Sequence, residues 1–336
     1  MITASPTSRL SSPVRDWREL WREAITDAGE LLRTVGLGQH AERLPPGDAG
    51  FALRVPRGFA ARMRHGDPRD PLLLQVLPQL AELDEAPGYA TDAVGDLAAR
   101  EARGVLHKYR GRALLIASGS CAVNCRYCFR RHFPYGAEIA AAGQWRQALD
   151  HVRRDATISE LILSGGDPLS LATAKLEELA RGLADIPHVT RLRIHTRLPV
   201  VLPERIDDAF AAWLAALPQQ KVVVLHANHA NEFDAAVDAA CARLREAGAT
   251  VLNQSVLLRG INDDADTLAA LSERLFAAGV LPYYLHQLDR VQGAAHFEVD
   301  DDAALALMGA LRERLPGYLV PKLVREVAGD AAKRPL

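Results

Sequence analysis

From about residue 112 onward, short apolar runs alternate with longer stretches in which apolar residues recur every three or four positions. The short runs are typical of buried strands, and the longer stretches are typical of amphipathic helices. The six strand-like runs are RALLIAS, ELILSGG, TRLRIHT, KVVVLHA, TVLNQSVLL and PYYLHQL. Stretches such as ATAKLEELARGLAD and DADTLAALSERLFAAG separate them. Six successive strand–helix units predict an α/β fold with parallel strands, arranged as a complete or partial barrel.

We assign residues 105–300 to this barrel and treat residues 1–104 and 301–336 as flanking segments. The N-terminal segment is predicted to be mainly helical, because WRELWREAITDAGELLRTVG carries apolar residues at helical spacing. The C-terminal segment contains GYLVPKLVREVAGDAAKRPL. This pattern predicts a strand followed by a loop rich in glycine and alanine, which carries Lys333.

The composition excludes several classes of protein. Hydrophobic residues make up 49% and charged residues 24% of the chain, as in a globular protein with a large core. The formal net charge of −2 gives no reason to expect nucleic acid or a membrane as a partner. No run is long enough for a transmembrane helix, and MITASPTSRLSSPVRDW lacks the apolar core of a secretory signal. We therefore expect a cytoplasmic protein, and the sequence leaves a homo-oligomer open.

Polar residues follow or end several of the strand-like runs. In α/β barrels the active site lies at the C-terminal ends of the strands, so these residues are candidates for it. They are the cysteines after the first run, Gly165, Gly166 and Asp167 after the second, and His226, Gln254 and Asp289 at later runs.

Three of the four cysteines lie within eight residues, in the order Cys121-x-x-x-Cys125-x-x-Cys128. Three thiolates on one short loop can bind three irons of a 4Fe-4S cluster and leave the fourth iron open for another ligand. Cys241 lies apart, in the amphipathic stretch AAVDAACARLREAG, and is expected to be a small core residue.

A zinc site is the alternative for this loop, because His132 follows Cys128 at a spacing found in zinc sites. Structural zinc sites usually join two ligand clusters across a small fold, whereas here one tight cluster precedes a large barrel. A zinc site also gives no role to the Gly165-Gly166-Asp167 motif. The sequence favours the iron–sulfur cluster.

The cysteine spacing after a first barrel strand resembles the signature of the radical S-adenosylmethionine superfamily. Tyr127 stands where that superfamily usually has an aromatic residue, directly before the last cysteine. The segment SGGDP after the second strand resembles its glycine-rich motif near the amino group of the cofactor. The resemblance implies that Cys121, Cys125 and Cys128 hold a 4Fe-4S cluster that cleaves S-adenosylmethionine to a 5′-deoxyadenosyl radical.

From about residue 68 to its end, the chain resembles the lysine 2,3-aminomutase family. The resembling segments include CAVNCRYCFRRHF, LSGGDPL, LHANHANE, LNQSVLLRGIND, YYLHQLDRVQGAAHF and the terminal AKRPL, in the order of the family. The resemblance is greatest to the short aminomutases that supply β-lysine for modification of elongation factor P. It implies a partial (β/α)6 barrel, an N-terminal helical region and a C-terminal segment that binds pyridoxal phosphate.

The resemblance also implies roles in binding pyridoxal phosphate. Lys333 in AKRPL matches the lysine that binds this cofactor covalently. Lys108 and Arg112 lie where the family places two arginines on the cofactor phosphate. Lys108 departs from arginine at its position, and Arg110 is an alternative there.

Further roles concern the other cofactor and the substrate carboxylate. Arg130 matches the arginine that binds the carboxylate of the substrate, a task suited to a planar bidentate donor. His226 and Gln254 match polar contacts to S-adenosylmethionine, and Gly165, Gly166 and Asp167 match its glycine-rich motif.

Asp289 and Glu326 are implied to select the substrate. The family holds the distant ammonium of lysine with two carboxylates, commonly two aspartates, and Glu326 replaces the second one here. Two acids favour a cationic side chain, because they would repel an anionic one. The alternative for Glu326 is a strand residue that faces solvent.

The reaction implied by the resemblance is conversion of L-α-lysine to β-lysine, with L-lysine as the substrate. A flavodoxin- or ferredoxin-type reductant and a functional link to the elongation factor P lysyl-ligase follow from the same resemblance. The alternative within the enzyme class is a catabolic aminomutase for lysine or another amino acid. Catabolic members usually carry a longer C-terminal extension, which this chain lacks.

Overall fold

The computed structural model describes residues 15–143 and 145–336. The first 14 residues lie outside the described part. The expectation of no secretory signal therefore concerns a segment that lies mostly outside the described residues. Gln144 lies outside the described part as well.

In the part of the chain that the structure describes, one ten-stranded sheet forms the centre of the fold, and its strands are paired in the order in which they occur along the chain. The strands are β1 (Arg100–Ala102), β2 (Val105–Tyr109), β3 (Arg112–Ser118), β4 (Glu160–Gly165), β5 (Arg191–Thr196), β6 (Gln220–His226), β7 (Ala249–Val256), β8 (Leu281–His286), β9 (Lys322–Arg325) and β10 (Arg334–Pro335). Every pairing from β3 to β9 is parallel, whereas β1, β2 and β10 are joined antiparallel at the two ends.

The α-helices alternate with these parallel strands after an N-terminal group of four. They are α1 (Trp17–Arg22), α2 (Ala28–Thr34), α3 (Arg57–Ala60), α4 (Pro71–Leu74), α5 (Arg146–Arg154), α6 (Thr173–Leu183), α7 (Leu198–Val201), α8 (Asp208–Ala216), α9 (Ala235–Glu246), α10 (Ala265–Ala277) and α11 (Asp301–Arg314). Each strand from β3 to β8 is followed by a helix of nine or more residues, so the prediction of six strand–helix units in an open barrel is confirmed.

Aspartates begin the later helices of the barrel. Asp207, Asp234, Asp264 and Asp300 precede α8, α9, α10 and α11, and each carboxylate accepts a hydrogen bond from a backbone N–H in the first turn. An N-terminal acceptor of this kind satisfies N–H groups that have no partner inside the helix and stabilises it by about 1 kcal/mol. Each loop from strand to helix therefore ends at a defined residue. These loops lie at the end of the barrel where the parallel strands end.

The N-terminal segment differs from the mainly helical region predicted for residues 1–104. Among residues 15–104, the longest α-helix, α2, has seven residues, and the other helical pieces are short α-helical or 3-10 turns. Connections that contain proline or glycine follow α2, α3 and α4 and limit the length of these helices. The region also includes β1, so the sheet begins before the predicted boundary at residue 105.

The C-terminal segment continues the sheet of the barrel. β9 pairs parallel with β8, and the two-residue strand β10 folds back antiparallel onto β9. The predicted strand and loop of residues 301–336 are both present, with α11 before them. Lys333, directly before β10, is thereby returned to the open end of the barrel.

No helix in the described ranges combines the length and apolar character of a membrane span. Such a span needs about 20 residues, and α11, which has 14, falls short of that length.

Candidate active site

A cavity of about 610 Å³ opens at the C-terminal ends of the parallel strands. It lies where the active sites of α/β barrels are found, and its volume is in the range of small-molecule sites. The structure brings all of the predicted site residues into its lining, although the role of each remains a prediction. These residues are Lys108, Arg112, Cys121, Cys125, Cys128, Arg130, Gly165, Gly166, Asp167, His226, Gln254, Asp289, Glu326 and Lys333.

The three cysteines lie on the loop that follows β3, and the backbone N–H of Cys128 donates to the carbonyl of Cys125 at 3.0 Å. Burial raises the pKa of Cys121 well above its usual value. Burial, followed by the neighbouring Cys125, also raises the pKa of Cys128 to about 11. Thiols with such pKa values bind iron by releasing their protons to solvent, because the thiolate is the ligand.

The donor set of the cysteine loop fits a cluster, because each thiolate of a 4Fe-4S cluster binds a different iron. Within residues 15–143 and 145–336, the structure shows no group of three His, Cys, Asp or Glu side chains arranged around a single metal ion. His132, the fourth ligand in the zinc alternative, is exposed, and its Nε2 lies 3.2 Å from the carbonyl of Gln292. The cysteine loop therefore fits the cluster.

Glycines allow the end of β4 to pack tightly against this loop. Gly165 has a φ of +115°, and a Cβ there would lie 2.6 Å from the carbonyl oxygen of Ser118. A Cβ on Gly166 would lie 2.6 Å from the carbonyl oxygen of Ser120. The motif keeps backbone groups, rather than side chains, at this wall of the cavity. That wall fits a ligand that approaches the backbone closely, as predicted for S-adenosylmethionine.

Asp167 has a structural task in addition to its place in the cavity lining. Its carboxylate accepts hydrogen bonds from the hydroxyl of Thr196 at 2.7 and 2.9 Å and from the backbone N–H groups of Leu169, Arg197 and Leu198. These contacts join the end of β4 to the end of β5. Protein donors already occupy this carboxylate, and its contact with S-adenosylmethionine stays a prediction.

His226 and Gln254 end neighbouring strands and are in contact with each other. The Nε2 atoms of the two side chains are 2.9 Å apart. Burial lowers the pKa of His226 to about 3, so the imidazole is neutral at neutral pH. A neutral imidazole and an amide offer both hydrogen-bond donors and acceptors to a zwitterionic or ribose-containing ligand.

A chain of alternating charges crosses the cavity. Arg130 donates from Nε to Asp96 at 2.7 Å, and Asp96 in turn pairs with Lys108 at 2.6 Å. Lys108 also pairs with Glu326 at 3.1 Å, and Glu326 pairs with Lys333. Burial would raise the pKa of Glu326, but Lys333 and Lys108 outweigh it and lower this pKa to about 2. Glu326 is therefore ionised and faces the cavity, not bulk solvent.

Asp289 lies in the same cavity, but its carboxyl group differs from that of Glu326 in its ionisation. Burial, followed by repulsion from Glu326, raises the pKa of Asp289 to about 7. Its Oδ1 atom is buried and has no hydrogen-bond partner among the described residues. Two carboxylates that share a site cannot both ionise without cost. An arriving cation would compensate that cost.

The cations predicted for the phosphate of pyridoxal phosphate differ in their availability. The guanidinium of Arg112 lies 4.6 Å from the ring centre of Tyr109, and in the described part of the chain no carboxylate pairs with it. Lys108 is already held by Asp96 and Glu326, and Arg110 is exposed and outside the cavity lining. Arg112 is therefore the better-placed anion-binding group, and Lys108 is better placed to orient Glu326.

Orphaned polar atoms near Lys333 also fit a polar cofactor. The Nε2 atoms of His195 and His286 are buried without partners among the described residues. Burial lowers the pKa of both imidazoles well below the usual value, so neither carries a charge at neutral pH. A cationic phosphate-binding side chain, a lysine amine and neutral ring nitrogens together suit a phosphorylated aldehyde such as pyridoxal phosphate.

Sequence reasoning missed Arg197, Glu232 and Asp96. Arg197 directly follows the strand-like run TRLRIHT, and Glu232 ends the segment LHANHANE, which resembles the family. The local sequence carries no signal that Arg197 contacts a cysteine 72 residues away. Asp96 precedes the barrel in a segment without a motif, and its contact with Arg130 spans 34 residues.

Comparison with known proteins gives consistent matches. A family model described as the Radical SAM superfamily matches residues 115–271, which include the cysteine loop and the glycine motif. The L-lysine 2,3-aminomutase of Escherichia coli (strain K12) is 50% identical over 330 residues, a match that covers 97% of this chain and 96% of that protein.

Two further relatives bear the same name. The L-lysine 2,3-aminomutase of Haemophilus influenzae is 46% identical over 320 residues and covers 95% of each chain. That of Clostridium subterminale is 31% identical over 323 residues, which cover 96% of this chain and 77% of the relative. The similarity therefore extends through the barrel and both flanking segments.

Proposed function

The chain belongs to the L-lysine 2,3-aminomutase family of radical S-adenosylmethionine enzymes, and from this premise we propose that it converts L-α-lysine to β-lysine. The family is one of isomerases that use a 4Fe-4S cluster and S-adenosylmethionine. The finer assignments, namely pyridoxal phosphate, the individual residues and the biological use of the product, are our proposals.

One observation carries the choice of substrate. At one side of the cavity, Glu326 holds the ammonium groups of both Lys108 and Lys333, and Asp289 lies in the same cavity with an unpartnered oxygen. This region already binds ammonium groups of the kind that ends the side chain of lysine. An anionic side chain would be repelled by two carboxylates. We assign Asp289 and Glu326 to the distant ammonium of the substrate.

Arg130 is assigned to the substrate carboxylate. It is 7% exposed, and Asp96 and Ser164 hold its guanidinium at 2.7 and 3.1 Å. An arginine fixed in this way loses little conformational freedom when it binds a carboxylate. Binding the substrate through both ends orients its reacting carbons, which is a large part of what a protein contributes to radical chemistry.

The cofactors are assigned to three parts of the cavity. We place the cluster on Cys121, Cys125 and Cys128, S-adenosylmethionine beside Gly165, Gly166, His226 and Gln254, and pyridoxal phosphate at Lys333 and Arg112. When bound, the cluster with S-adenosylmethionine would supply a deoxyadenosyl radical, and pyridoxal phosphate would supply a conjugated π system that stabilises a neighbouring radical while the amino group moves between two substrate carbons. Placing the reacting groups inside this cavity limits their contact with solvent, which would otherwise quench reactive species.

The C-terminal segment distinguishes this proposal from other radical S-adenosylmethionine reactions. Borohydride reduction of the protein incubated with pyridoxal phosphate should fix the cofactor to a peptide that contains Lys333. Lys333→Ala should retain iron and S-adenosylmethionine binding but lose the fixed cofactor and lysine isomerisation. An adduct at Lys108, Lys175, Lys221 or Lys322 in the native protein would contradict the assignment.

We propose that the β-lysine serves the modification of elongation factor P, in the cytoplasm, with electrons from a flavodoxin- or ferredoxin-type protein. The proposal rests on the resemblance to the short aminomutases, and the elongation factor P lysyl-ligase would consume the product. Transfer of enzymatically made β-lysine to elongation factor P by this ligase, in preference to α-lysine, is the expected result. Equal use of both isomers would favour the alternative, a catabolic aminomutase.

A further inference from the structure

Arg197 lies directly after β5 and reaches the cysteine loop. Its Nη1 atom is 2.7 Å from the sulfur of Cys125 and 2.7 Å from the hydroxyl of Tyr127. In the described ranges, it is the one arginine or lysine side chain that donates a hydrogen bond to a cysteine sulfur. This contact differs from those assigned to the substrate, S-adenosylmethionine and pyridoxal phosphate, because it is made to a proposed ligand of the cluster.

The guanidinium is held firmly in this position. Nη2 donates to Gln75 at 2.6 Å and to Glu232 at 2.9 Å, and Arg197 is 5% exposed. Glu232 is fully buried and is itself fixed by the backbone N–H groups of Asn228 and His229. Because Asn228 also donates to the hydroxyl of Tyr127, the same network supports two residues of the cysteine loop.

A buried cation beside one sulfur has a predictable effect on an iron–sulfur cluster. Reduction adds one electron and so makes the cluster more negative. A fixed positive charge and an N–H···S hydrogen bond stabilise the reduced state more than the oxidised state, so both raise the reduction potential. A nearby carboxylate lowers the reduction potential, because its negative charge disfavours the added electron. Glu232 is such a carboxylate, and it lies on the far side of the same guanidinium.

We propose that Arg197 is a positioning residue for the cluster, which fixes the thiolate of Cys125 and raises the reduction potential, and that Glu232 limits this rise. The inference rests on the assignment of the cluster to Cys121, Cys125 and Cys128. Its consequence for the reaction is that a biological reductant can deliver the electron that S-adenosylmethionine cleavage requires. A purely structural role for Arg197 would give no opposite effect at Glu232.

The test is a reductive titration of the reconstituted, anaerobic protein without S-adenosylmethionine, followed by electron paramagnetic resonance of the reduced cluster. Arg197→Gln should lower the equilibrium constant for reduction of the cluster at least tenfold. For one electron, this corresponds to a midpoint potential lower by about 59 mV. Glu232→Gln should raise the potential, since it removes the opposing charge and retains a hydrogen-bond acceptor. Arg197→Lys, which retains the charge, should lie closer to the native value than Arg197→Gln.

Arg205→Gln is the matched control. Arg205 is also a fully buried arginine, but it donates to the backbone carbonyls of Leu169 and Leu171 rather than to a cysteine. Its replacement tests the general effect of losing a buried guanidinium, and we expect an unchanged potential. If Arg197→Gln does not assemble a cluster, the sign of the shift in Glu232→Gln still tests the proposal.

The outcomes separate this inference from the proposed function. A native potential in Arg197→Gln with full iron content, or a shift in Glu232→Gln in the same direction as in Arg197→Gln, would overturn the inference alone. An equal shift in Arg205→Gln would also overturn it. Failure of the native protein to bind iron and sulfide would instead refute the cluster itself, and with it the proposed function.

Discussion

Asp289 and Glu326 lie in one cavity, yet their carboxyl groups differ in charge at neutral pH. Glu326 is ionised because Lys333 and Lys108 outweigh its burial, whereas burial and the charge of Glu326 raise the pKa of Asp289 to about 7. Only the ionised form of Asp289 pairs with a substrate ammonium. Lysine binding should therefore strengthen as the pH rises through about 7, the direction in which Asp289 loses its proton.

This pH dependence should disappear in Asp289→Asn, whose side chain does not titrate. The variant should also raise the Michaelis constant for lysine by roughly tenfold or more, since a charge-assisted hydrogen bond contributes about 1.5–3 kcal/mol. The measurement is kcat/KM for lysine between pH 6 and 8, with the affinity for S-adenosylmethionine as the control. The same slope in both proteins would show that Asp289 is not the titrating group.

The four cysteines provide a second residue-scale prediction. Replacing Cys121, Cys125 or Cys128 by alanine should abolish formation of 5′-deoxyadenosine, because each thiolate binds a separate iron. Cys241→Ala is the control, since Cys241 is fully buried in α9 and burial raises its pKa to about 12. The measurement is the amount of 5′-deoxyadenosine in the anaerobic reaction, determined by chromatography. Full cleavage of S-adenosylmethionine by any of the three loop variants would refute the assignment.

At this scale, sequence reasoning selected residues that the fold brings into one cavity, but not the contacts between them. The motif residues follow strand ends, a position that the hydrophobic pattern reveals. The pairing of Lys108 with Asp96 and Glu326 depends on side chains that are distant in sequence, up to 218 residues apart. No local pattern encodes such a contact. The sequence therefore could not show that Lys108, predicted to bind the cofactor phosphate, also pairs with carboxylates.

At the scale of elements, the glycines that end β4 set the distance to the cysteine loop. Gly166→Ala would bring a Cβ to 2.6 Å from a backbone oxygen, which does not yield as a flexible side chain would. Overpacking of this kind costs about 1–3 kcal/mol. We expect reduced iron content after reconstitution and a lower midpoint of unfolding.

Gly58→Ala is the control for this change, because nothing lies within 4 Å of a Cβ at that position in α3. Alanine favours a helix more than glycine does, so this variant should bind iron normally and be at least as stable as the native chain. Iron analysis and thermal unfolding of both variants provide the comparison. Full iron loading of Gly166→Ala would show that the close approach at β4 is not needed for the cluster.

The hydrophobic pattern predicted the six barrel strands and their helices because each of these segments is long enough for its pattern of apolar and polar residues to be recognised. It did not predict β1, β2 or β10. β1 and β10 have three and two residues, and strands this short are defined by their pairing with a neighbour and not by their own sequence. The N-terminal segment was predicted as mainly helical for a related reason, since helical spacing over WRELWREAITDAGELLRTVG continues across the break between α1 and α2.

At the scale of the whole molecule, a buried ion cluster connects the N-terminal segment to the cysteine loop. Glu82 accepts hydrogen bonds from Arg126 at 2.6 Å and from Arg131 at 2.8 Å, and all three side chains are almost fully buried. Removing one partner of a buried ion pair leaves an uncompensated charge and costs about 3–5 kcal/mol. The N-terminal segment therefore supports the loop although it carries no chemical motif.

Glu82→Gln should lower the free energy of unfolding by several kcal/mol and expose the cysteine loop to proteolysis. Glu30→Gln is the control, because Glu30 pairs with Arg57 at the surface, where the loss of an ion pair costs about 1 kcal/mol or less. Denaturant unfolding and limited proteolysis measure both effects. Equal stability of the two variants would indicate that the buried cluster does not hold the segment in place.

The migration of nitrogen from carbon 2 to carbon 3 of lysine is the central claim, and it can be observed directly. The native protein, reconstituted anaerobically with pyridoxal phosphate, S-adenosylmethionine and a reductant, would receive L-lysine labelled with ¹⁵N at the α-amino group and ¹³C at carbon 3. We predict that the ¹³C resonance acquires a one-bond coupling to ¹⁵N, because the amino group has moved onto the labelled carbon. Cleavage of S-adenosylmethionine without the appearance of this coupling would contradict the assignment of the chain as a lysine 2,3-aminomutase.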